Sequence, residues 1–546
     1  MTISLINGSE NLAHIATAFH NRHHHILSAF NITIAIASWR GESVESFSIK
    51  AEINDEKVNV EIGLTLDRSL RYALNALLKW INSSDPQSLS LIDGPAFQIR
   101  GVVEGFYGQP WTHQQRLRGI EYFGDFGMNT YFLAPKDDPL QRFNWRSPFP
   151  VTFLQQAKEL IARGNDHGID FVACVSPGLS VKYSDPVDVA AVVFRFTQLL
   201  DLGATHFGML WDDIAWELQH PEDIETYAST ADAHADFTNK VFDQLISINN
   251  NIQLTACPMQ YSGRGNEPYL IDLGRKLRAR VNLMWTGRQI CSEYLDISDA
   301  VIFERSALRP ALYWDNFPVN DGSMQANLYI GPIRGREKGL ERFSLGLLSN
   351  PMLQFESSLI PLATIGDYLW NSTNYDPNRS WEDALIRLFP KVSERACLRH
   401  FLRNSMGTNV GGDPAPDLRK IFHAGVSAWR AGNMAQAADI FEAESFVIAA
   451  NYKELASDLF SHTELVEEIS PWLEKYQVGG EVLLGLGQSL RDCTFDAERR
   501  IIVGPESVSI QLSDLLKKLK SIPKNLFGDQ IEGPLNELLA ELKTFS

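Results

Sequence analysis

The 546-residue chain is short of the residues that most often announce a function. It has 5 cysteines. Cys174, Cys257, Cys291, Cys397 and Cys493 are odd in number and far apart, without the CxxC or Cys/His spacing of a zinc or redox site. Cys174 and Cys257 fall in strand-like apolar runs and read as core packing. No segment reaches the ~18 apolar residues of a membrane span, and the opening MTISLINGSENLAHIATAF lacks the charged stretch and apolar core of a secretory signal. A reduced, cytoplasmic protein is the expectation. Positive charge is also scarce: 49 Lys and Arg against 67 Asp and Glu leave a net charge of −18, with no basic patch to hold a phosphate backbone. Neither nucleic acid nor a membrane is an expected partner. Phosphate loops of the GxxxxGK[ST] kind are missing, and Gly331, Gly335 and Gly339 are merely dispersed. The run His20, His23, His24 and His25 has no ligand pattern beside it and reads as a solvated helix face.

What is present is apolar content, 44% of the chain, and a repeated theme. From about residue 98 to 350, a short apolar run ends in one or two polar or aromatic residues and an amphipathic helical stretch follows. The strand-like members are Ile99–Glu104, Asn129–Ala134, Asp170–Ser176, His206–Asp212, Gln253–Cys257, Val281–Trp285, Ala311–Asp315 and Gly346–Ser349. Eight such units over about 250 residues have the size and count of a (β/α)8 TIM barrel; a doubly wound open sheet is the alternative. The expected organisation is α/β throughout the first two parts: a small N-terminal α/β domain over 1–95, a catalytic barrel over 96–366, and a C-terminal helical bundle over 367–546. The segment SSDPQS at 83–88 reads as a linker. Spacing leaves open whether the helical region forms a homodimer interface, covers the barrel mouth or is only structural.

Barrel enzymes carry their active sites where the strands stop. Here those ends hold Glu104-Gly105, Lys136-Asp137-Asp138, Ser176, Asp212-Asp213, Tyr261, Trp285-Thr286-Gly287, Trp314-Asp315-Asn316 with Asp321 nearby, and Asn350. Any one of these residue types is ordinarily a helix cap or turn. Eight sets in register, rich in Asp, Asn, Tyr and Trp, suit a sugar: hydroxyls for the carboxylates and amides, apolar C–H faces for the aromatic walls. No imidazole cluster supports zinc, a magnesium site on Asp212 and Asp213 is the weaker alternative, and no cofactor is expected.

Most glycosidases place two carboxyl groups on opposite sides of the scissile bond. Asp212 and Asp213 leave one strand end, so they approach from one side and the nucleophile must come from elsewhere. A substrate carrying a 2-acetamido group supplies its own: the carbonyl oxygen attacks the anomeric carbon and forms an oxazoline. One carboxylate then holds the acetamido N–H while the other is protonated, a split that crowding of two acids favours.

GVVEGFYGQPW at 101–111, APKDDP at 134–139, WDDI at 211–214, WTG at 285–287, WDNFPVND at 314–321 and SNP at 349–351 together closely resemble the family 84 glycoside hydrolases. These are the O-GlcNAcases and related bacterial β-N-acetylglucosaminidases, often first described as hyaluronidases. The resemblance spans the barrel. It implies a retaining exo-β-N-acetylglucosaminidase acting on terminal β-linked GlcNAc of a glycan, glycopeptide or glycoprotein. By position, it makes Asp212 the residue that orients the acetamido nitrogen and Asp213 the general acid and later base. It implies that Gly105 offers its backbone carbonyl to a hydroxyl, that Lys136 binds hydroxyls, and that Tyr261 supports the acetamido oxygen. Trp314 would wall the N-acetyl pocket, and Asn316, Asp321 and Asn350 would hold the acetamido group and ring hydroxyls. The chain departs from the family in two places: Ile214-Ala215-Trp216 follows Asp213, and Gln260 precedes Tyr261 where an acidic residue is common. Alternative readings are a non-catalytic N-acetylhexosamine-binding protein, and a glycosidase of the same fold acting on peptidoglycan or hyaluronan fragments.

Overall fold

The computed structural model describes residues 3–6, 9–41, 43–54, 57–83, 86–496, 498–499 and 501–544. Its centre is a closed barrel of eight parallel strands. We number them β1 (Ile99–Glu104), β2 (Thr130–Leu133), β3 (Asp170–Val175), β4 (His206–Leu210), β5 (Gln253–Cys257), β6 (Val281–Trp285), β7 (Ala311–Asp315) and β8 (Ser344–Ser349). Each pairs with the next, and β8 closes on β1 through the register Gly346↔Ile99 to Ser349↔Val102. All eight expected strands are present. Every strand contributes to the lumen: Val103, Phe132, Val172, Cys174, Leu210, Cys257, Met284, Leu312, Trp314 and Leu348 form one buried cluster. Cys174 and Cys257 are therefore core residues, and burial pushes both thiols above their ordinary range.

Helices follow most strands. Thr112 caps His113–Asp125 in a reciprocal capping box with Gln115, and Ser229 caps Thr230–Ile248 through the Asp232 N–H. The unit after β7 breaks the pattern. Its connection to β8 carries only two 3-10 turns, Gly322–Met324 and Leu340–Arg342. The stretch 288–310, where more than one helix could be read, holds a single helix, Ile297–Ala307.

The chain forms two compact units: 1–317 with 335–351 and 365–375, and 318–334 with 352–364 and 376–546. Within the first, a five-stranded sheet precedes the barrel in the order Ile3–Ile6, Asn31–Ser38, Lys57–Leu64, Phe47–Asn54, Ser88–Asp93. Helices Glu10–Arg22 and Ser69–Ile81 pack on it around Phe19, Ile34, Ile49, Leu70 and Leu74. Ser88 starts a strand here instead of ending a linker, and Ser84 and Asp85 of that linker lie outside the described residues. In the second unit the long helices Met434–Leu455 and Thr463–Arg491 pack with their neighbours around Phe441, Trp472, Tyr476 and Leu483. A three-stranded sheet of Thr494–Asp496, Ile501–Gly504 and Leu542–Thr544 adds strands where only helices were expected.

Charge joins the N-terminal sheet domain to the barrel. The Arg71 side chain is fully buried and donates to Asp125, on the first barrel helix, which also accepts from Arg22 at 2.5 Å and faces His23 at 3.3 Å. His23 is thus half-buried in an ion-pair cluster, not on a solvated face. On the barrel floor Arg68 grips both oxygens of Asp170, at 2.9 and 2.8 Å, and Arg100 donates to Glu45 at 2.6 Å. Burial alone would raise the Asp125 pKa, but the Arg71 and Arg22 guanidiniums hold it well below the usual carboxylate range. Asp125→Asn leaves the Arg71 charge buried without a counter-ion and should cost about 3–5 kcal/mol in a urea titration. A depressed carboxylate contributes fully above its unfolded pKa of about 4 and loses that contribution as pH falls. Wild-type stability should therefore drop below about pH 4 more steeply than that of Asp125→Asn.

Candidate active site

Side chains alternate along a strand, and β4 shows the consequence. Leu210 points into the lumen. Trp211 points outward, stacks on His234 of the following helix with centroids 5.0 Å apart, and donates to Thr238 Oγ1 at 3.2 Å. Asp212 turns back inward and is buried. Strict alternation would send Asp213 to the outside. Instead its φ is +56°, one of three positive values at non-glycine positions among the described residues. Aspartate tolerates this left-handed conformation better than most residues do. The Asp213 carboxylate accepts from two tyrosines: Tyr107 at Oδ2, 2.7 Å, and Tyr261 at Oδ1, 2.9 Å.

The turn is held from outside the strand. Arg142 donates through Nη2 to the Asp213 carbonyl at 2.9 Å and through Nη1 to the Tyr107 hydroxyl at 2.9 Å. Arg142 ends the short helix Pro139–Arg142, which Asp138 caps through the Leu140 N–H. Nearby, Asp137 accepts from the Gly108 N–H at 2.7 Å and fixes the GFYG turn that carries Tyr107. Tyr107 and Arg142 were not among the expected site residues. Both lie in motifs that were singled out or in the residues just after them, but nothing in spacing distinguishes a clamp from a turn.

Asp212 has a different environment. Lys136 donates to its Oδ2, and both side chains are buried. Burial works against the lysine charge, but the Asp212 carboxylate outweighs it and raises the Lys136 pKa. The ammonium also lies 5.1 Å from the centre of the Trp314 ring, a cation–π distance. Asp212 Oδ1 is buried and has no donor among the described residues. A buried carboxylate oxygen without a partner is costly unless a ligand supplies the N–H or O–H. Burial, and then the Asp213 charge, push the Tyr261 hydroxyl well above its ordinary range, so it stays a donor.

The far wall is a frame of amides. Gly105 N–H donates to Asn350 Oδ1 at 3.2 Å, Asn350 Nδ2 to Asn316 Oδ1 at 2.9 Å, and Trp314 Nε1 to the same oxygen at 3.0 Å. Asn316 Nδ2 donates to the Ile290 carbonyl at 2.8 Å. A Cβ on Gly105 would lie 2.2 Å from the Trp314 ring, so only glycine lets the strand end approach the tryptophan. The first unit thus brings together Gly105, Lys136, Asp212, Asp213, Tyr261, Trp314, Asn316 and Asn350. Asp321 belongs to the second unit, where it directly precedes the turn Gly322–Met324.

Other strand-end residues are structural. Glu104 is fully buried, where it accepts from Arg116 at 2.9 and 2.7 Å and from the Trp111 N–H at 3.1 Å. Asp315 takes both arms of Arg336, at 2.8 and 2.6 Å. Trp285 turns outward and stacks on Phe303. A cavity of about 480 Å³ lies at the opposite end of the barrel, lined by Glu45, Arg68, Asn129, Asp170 and His206 among others. Its charges are paired with one another, and it is remote from both aspartates of the mouth.

Enzymes that cleave sugars on a (β/α)8 scaffold keep their carboxylates at this end of the barrel between aromatic walls, and that is the class this site defines. The chain belongs to the beta-N-acetylglucosaminidase family, whose model matches residues 100–402, and the resemblance to family 84 glycoside hydrolases holds. It is 31% identical over 280 residues to Protein O-GlcNAcase of Rattus norvegicus and of Mus musculus, a match covering 50% of this chain and 30% of each relative. The match therefore spans less than a third of those proteins. A solved mutant of the Thermobaculum terrenum O-GlcNAc hydrolase is 30% identical with a TM-score of 0.75, covering 81% of this chain and 95% of that one. The structure of CpGH84B, 22% identical, shares the fold with a TM-score of 0.82 over 98% of this chain and 96% of its own.

The Lys136–Asp212 pair gives a test that needs no substrate. Lys136→Met strands a buried carboxylate and should cost about 3–5 kcal/mol in denaturant unfolding. Adding Asp212→Leu should restore at least half of that loss, which a double-mutant cycle measures.

Proposed function

We propose that this chain is a retaining exo-β-N-acetylglucosaminidase that hydrolyses terminal β-linked GlcNAc by substrate-assisted catalysis. The observation that carries the reading is the unequal state of two successive carboxylates. Asp212 is buried, paired with Lys136 through one oxygen, and presents the other without a partner. Asp213 is exposed at the mouth, and its carboxylate accepts from two neutral tyrosine hydroxyls.

In this reading Asp212 stays ionised beside Lys136 and accepts the acetamido N–H at Oδ1. That contact orients the acetamido group and makes its carbonyl oxygen a better nucleophile. The oxygen attacks the anomeric carbon as the glycosidic bond breaks. Asp213 gives its proton to the departing oxygen, and an oxazoline forms. Asp213 then removes a proton from a water that opens the oxazoline, so two inversions leave the β configuration retained. Tyr261 supports the acetamido oxygen and Trp314 walls the methyl group. Lys136 has two further N–H donors for ring hydroxyls. Gly105 offers its carbonyl, and Asn316 and Asn350 complete the set from the first unit that holds the sugar. We place the protein in the cytoplasm; its five cysteines are free, and no helix among the described residues is long and apolar enough to cross a membrane.

Asp213→Ala should lower turnover of an unactivated glycoside by roughly 10²–10⁴-fold and spare a dinitrophenyl glycoside, whose leaving group needs no proton. Asp212→Ala should lose activity on both. Equal losses with the two substrates for Asp213→Ala would remove it as the general acid.

A further inference from the structure

Behind the end of β4 lies a buried imidazole that the reaction as described does not use. His234, on the helix Thr230–Ile248, is 1% exposed. Its ring lies flat on Trp211, the residue before Asp212, at an interplanar angle of 2°. Both nitrogens meet tyrosine hydroxyls: Nδ1 that of Tyr269 at 2.8 Å and Nε2 that of Tyr183 at 2.9 Å. Tyr183 lies in the connection after β3, and Tyr269 is the second residue of the helix Pro268–Lys276 after β5. The Tyr269 hydroxyl oxygen also accepts from the Met259 N–H at 3.2 Å. Met259 stands two residues before Tyr261, whose carbonyl accepts from the Thr286 N–H, just past β6, at 2.8 Å. The backbone around Tyr261 is thus held on one side from β6 and on the other by Tyr269.

The hydrogens of this network follow from counting donors and acceptors. Burial drives the His234 pKa down to about 3, so the ring is neutral, with one nitrogen carrying a hydrogen and the other accepting. If Nδ1–H donated to Tyr269, the hydroxyl hydrogen of Tyr269 would have no acceptor among the described residues. Nδ1 therefore accepts from Tyr269, and Nε2–H donates to Tyr183. The two arms differ in what they hold. Tyr183 is fixed through its own backbone, because its N–H donates to Asp223 at 3.0 Å and its carbonyl accepts from the Tyr227 hydroxyl at 3.2 Å. Among the described residues the Met259 N–H has no acceptor besides Tyr269.

On the reading of Asp213 as general acid, we infer that His234 is a positioning residue for it. Through Trp211 the imidazole fixes the end of β4, and through Tyr269 and Met259 it fixes Tyr261. It thereby sets the spacing at which the Tyr261 hydroxyl meets the Asp213 carboxylate across two strands.

The test compares the full chain with Tyr269→Phe, Tyr183→Phe, His234→Asn and His234→Gln on methyl β-GlcNAc and dinitrophenyl β-GlcNAc, with urea unfolding of each. Asparagine places an acceptor oxygen near Nδ1 and so keeps the Tyr269 arm; glutamine places a donor near Nε2 and keeps the Tyr183 arm. Tyr269→Phe and His234→Gln should lower kcat on the methyl glycoside roughly tenfold or more with KM nearly unchanged, and lower it less on the dinitrophenyl glycoside. Tyr183→Phe and His234→Asn should stay within about threefold of wild type. Each phenylalanine variant deletes one hydroxyl beside the same ring, so a merely structural role would lower stability and kcat alike in both. Equal kcat losses in the two phenylalanine variants, equal losses in the asparagine and glutamine variants, or no loss in Tyr269→Phe would overturn the assignment. If the His234 variants do not fold, the two phenylalanine variants decide it. A wild type inactive on both substrates sinks the glycosidase reading itself, whereas an active wild type with parallel losses sinks only the positioning role.

Discussion

Along a strand, neighbouring side chains face opposite ways, and two successive residues reach one cavity only where the backbone leaves that geometry. The left-handed turn at Asp213 is where this chain does so. Everything particular to the site depends on it. Without the turn Asp212 would still enter the mouth beside Lys136, but its neighbour would pack against the outer helices as Trp211 does. The conformation costs of order 1 kcal/mol, which the surrounding bonds offset. Arg142 holds the carbonyl, and Tyr107 and Tyr261 hold the carboxylate.

The turn also separates two chemical environments over the length of one peptide bond. Asp212 is buried beside an ammonium that itself lies over the Trp314 indole. The Asp213 carboxylate is exposed and accepts from two tyrosine hydroxyls. Two carboxylates side by side in the same environment would compete for one proton. Here a cation stands beside only one of them, Asp212, so the two surroundings differ. The amide frame of Gly105, Asn350, Asn316 and Trp314 fixes the opposite wall before any sugar arrives, which reduces the ordering that binding requires.

The barrel was legible in the sequence because each buried parallel strand is a short apolar run with a polar stop, and β1, β5, β6 and β7 begin and end where the pattern predicts. The inward-facing site residues were legible for the same reason. What escaped was tertiary. Phe47–Asn54 alternates as a strand should but is rich in polar residues, because one face of its sheet is wet. Gly479 and Gly480 lie inside one long helix, Thr463–Arg491. The glycines lower its intrinsic propensity, yet a Cβ on Gly479 would strike the Phe527 ring and one on Gly480 would strike Ile448, so packing requires them there. Trp285 ends β6 beside the site residues but faces Phe303, which only the strand's phase reveals. Arg142 was invisible as a clamp because its function is a bond to a carbonyl 71 residues away.

The central claim is that the nucleophile belongs to the substrate. It is tested most directly by kcat/KM on aryl glycosides whose N-acetyl group carries zero, one, two or three fluorines. Fluorine withdraws electrons from the carbonyl oxygen without altering the glycosidic bond. If that oxygen attacks the anomeric carbon, kcat/KM falls steeply and monotonically across the series. A flat series would mean that a group of the protein or a water attacks instead, and the pairing of Asp212 with the acetamido group would be wrong.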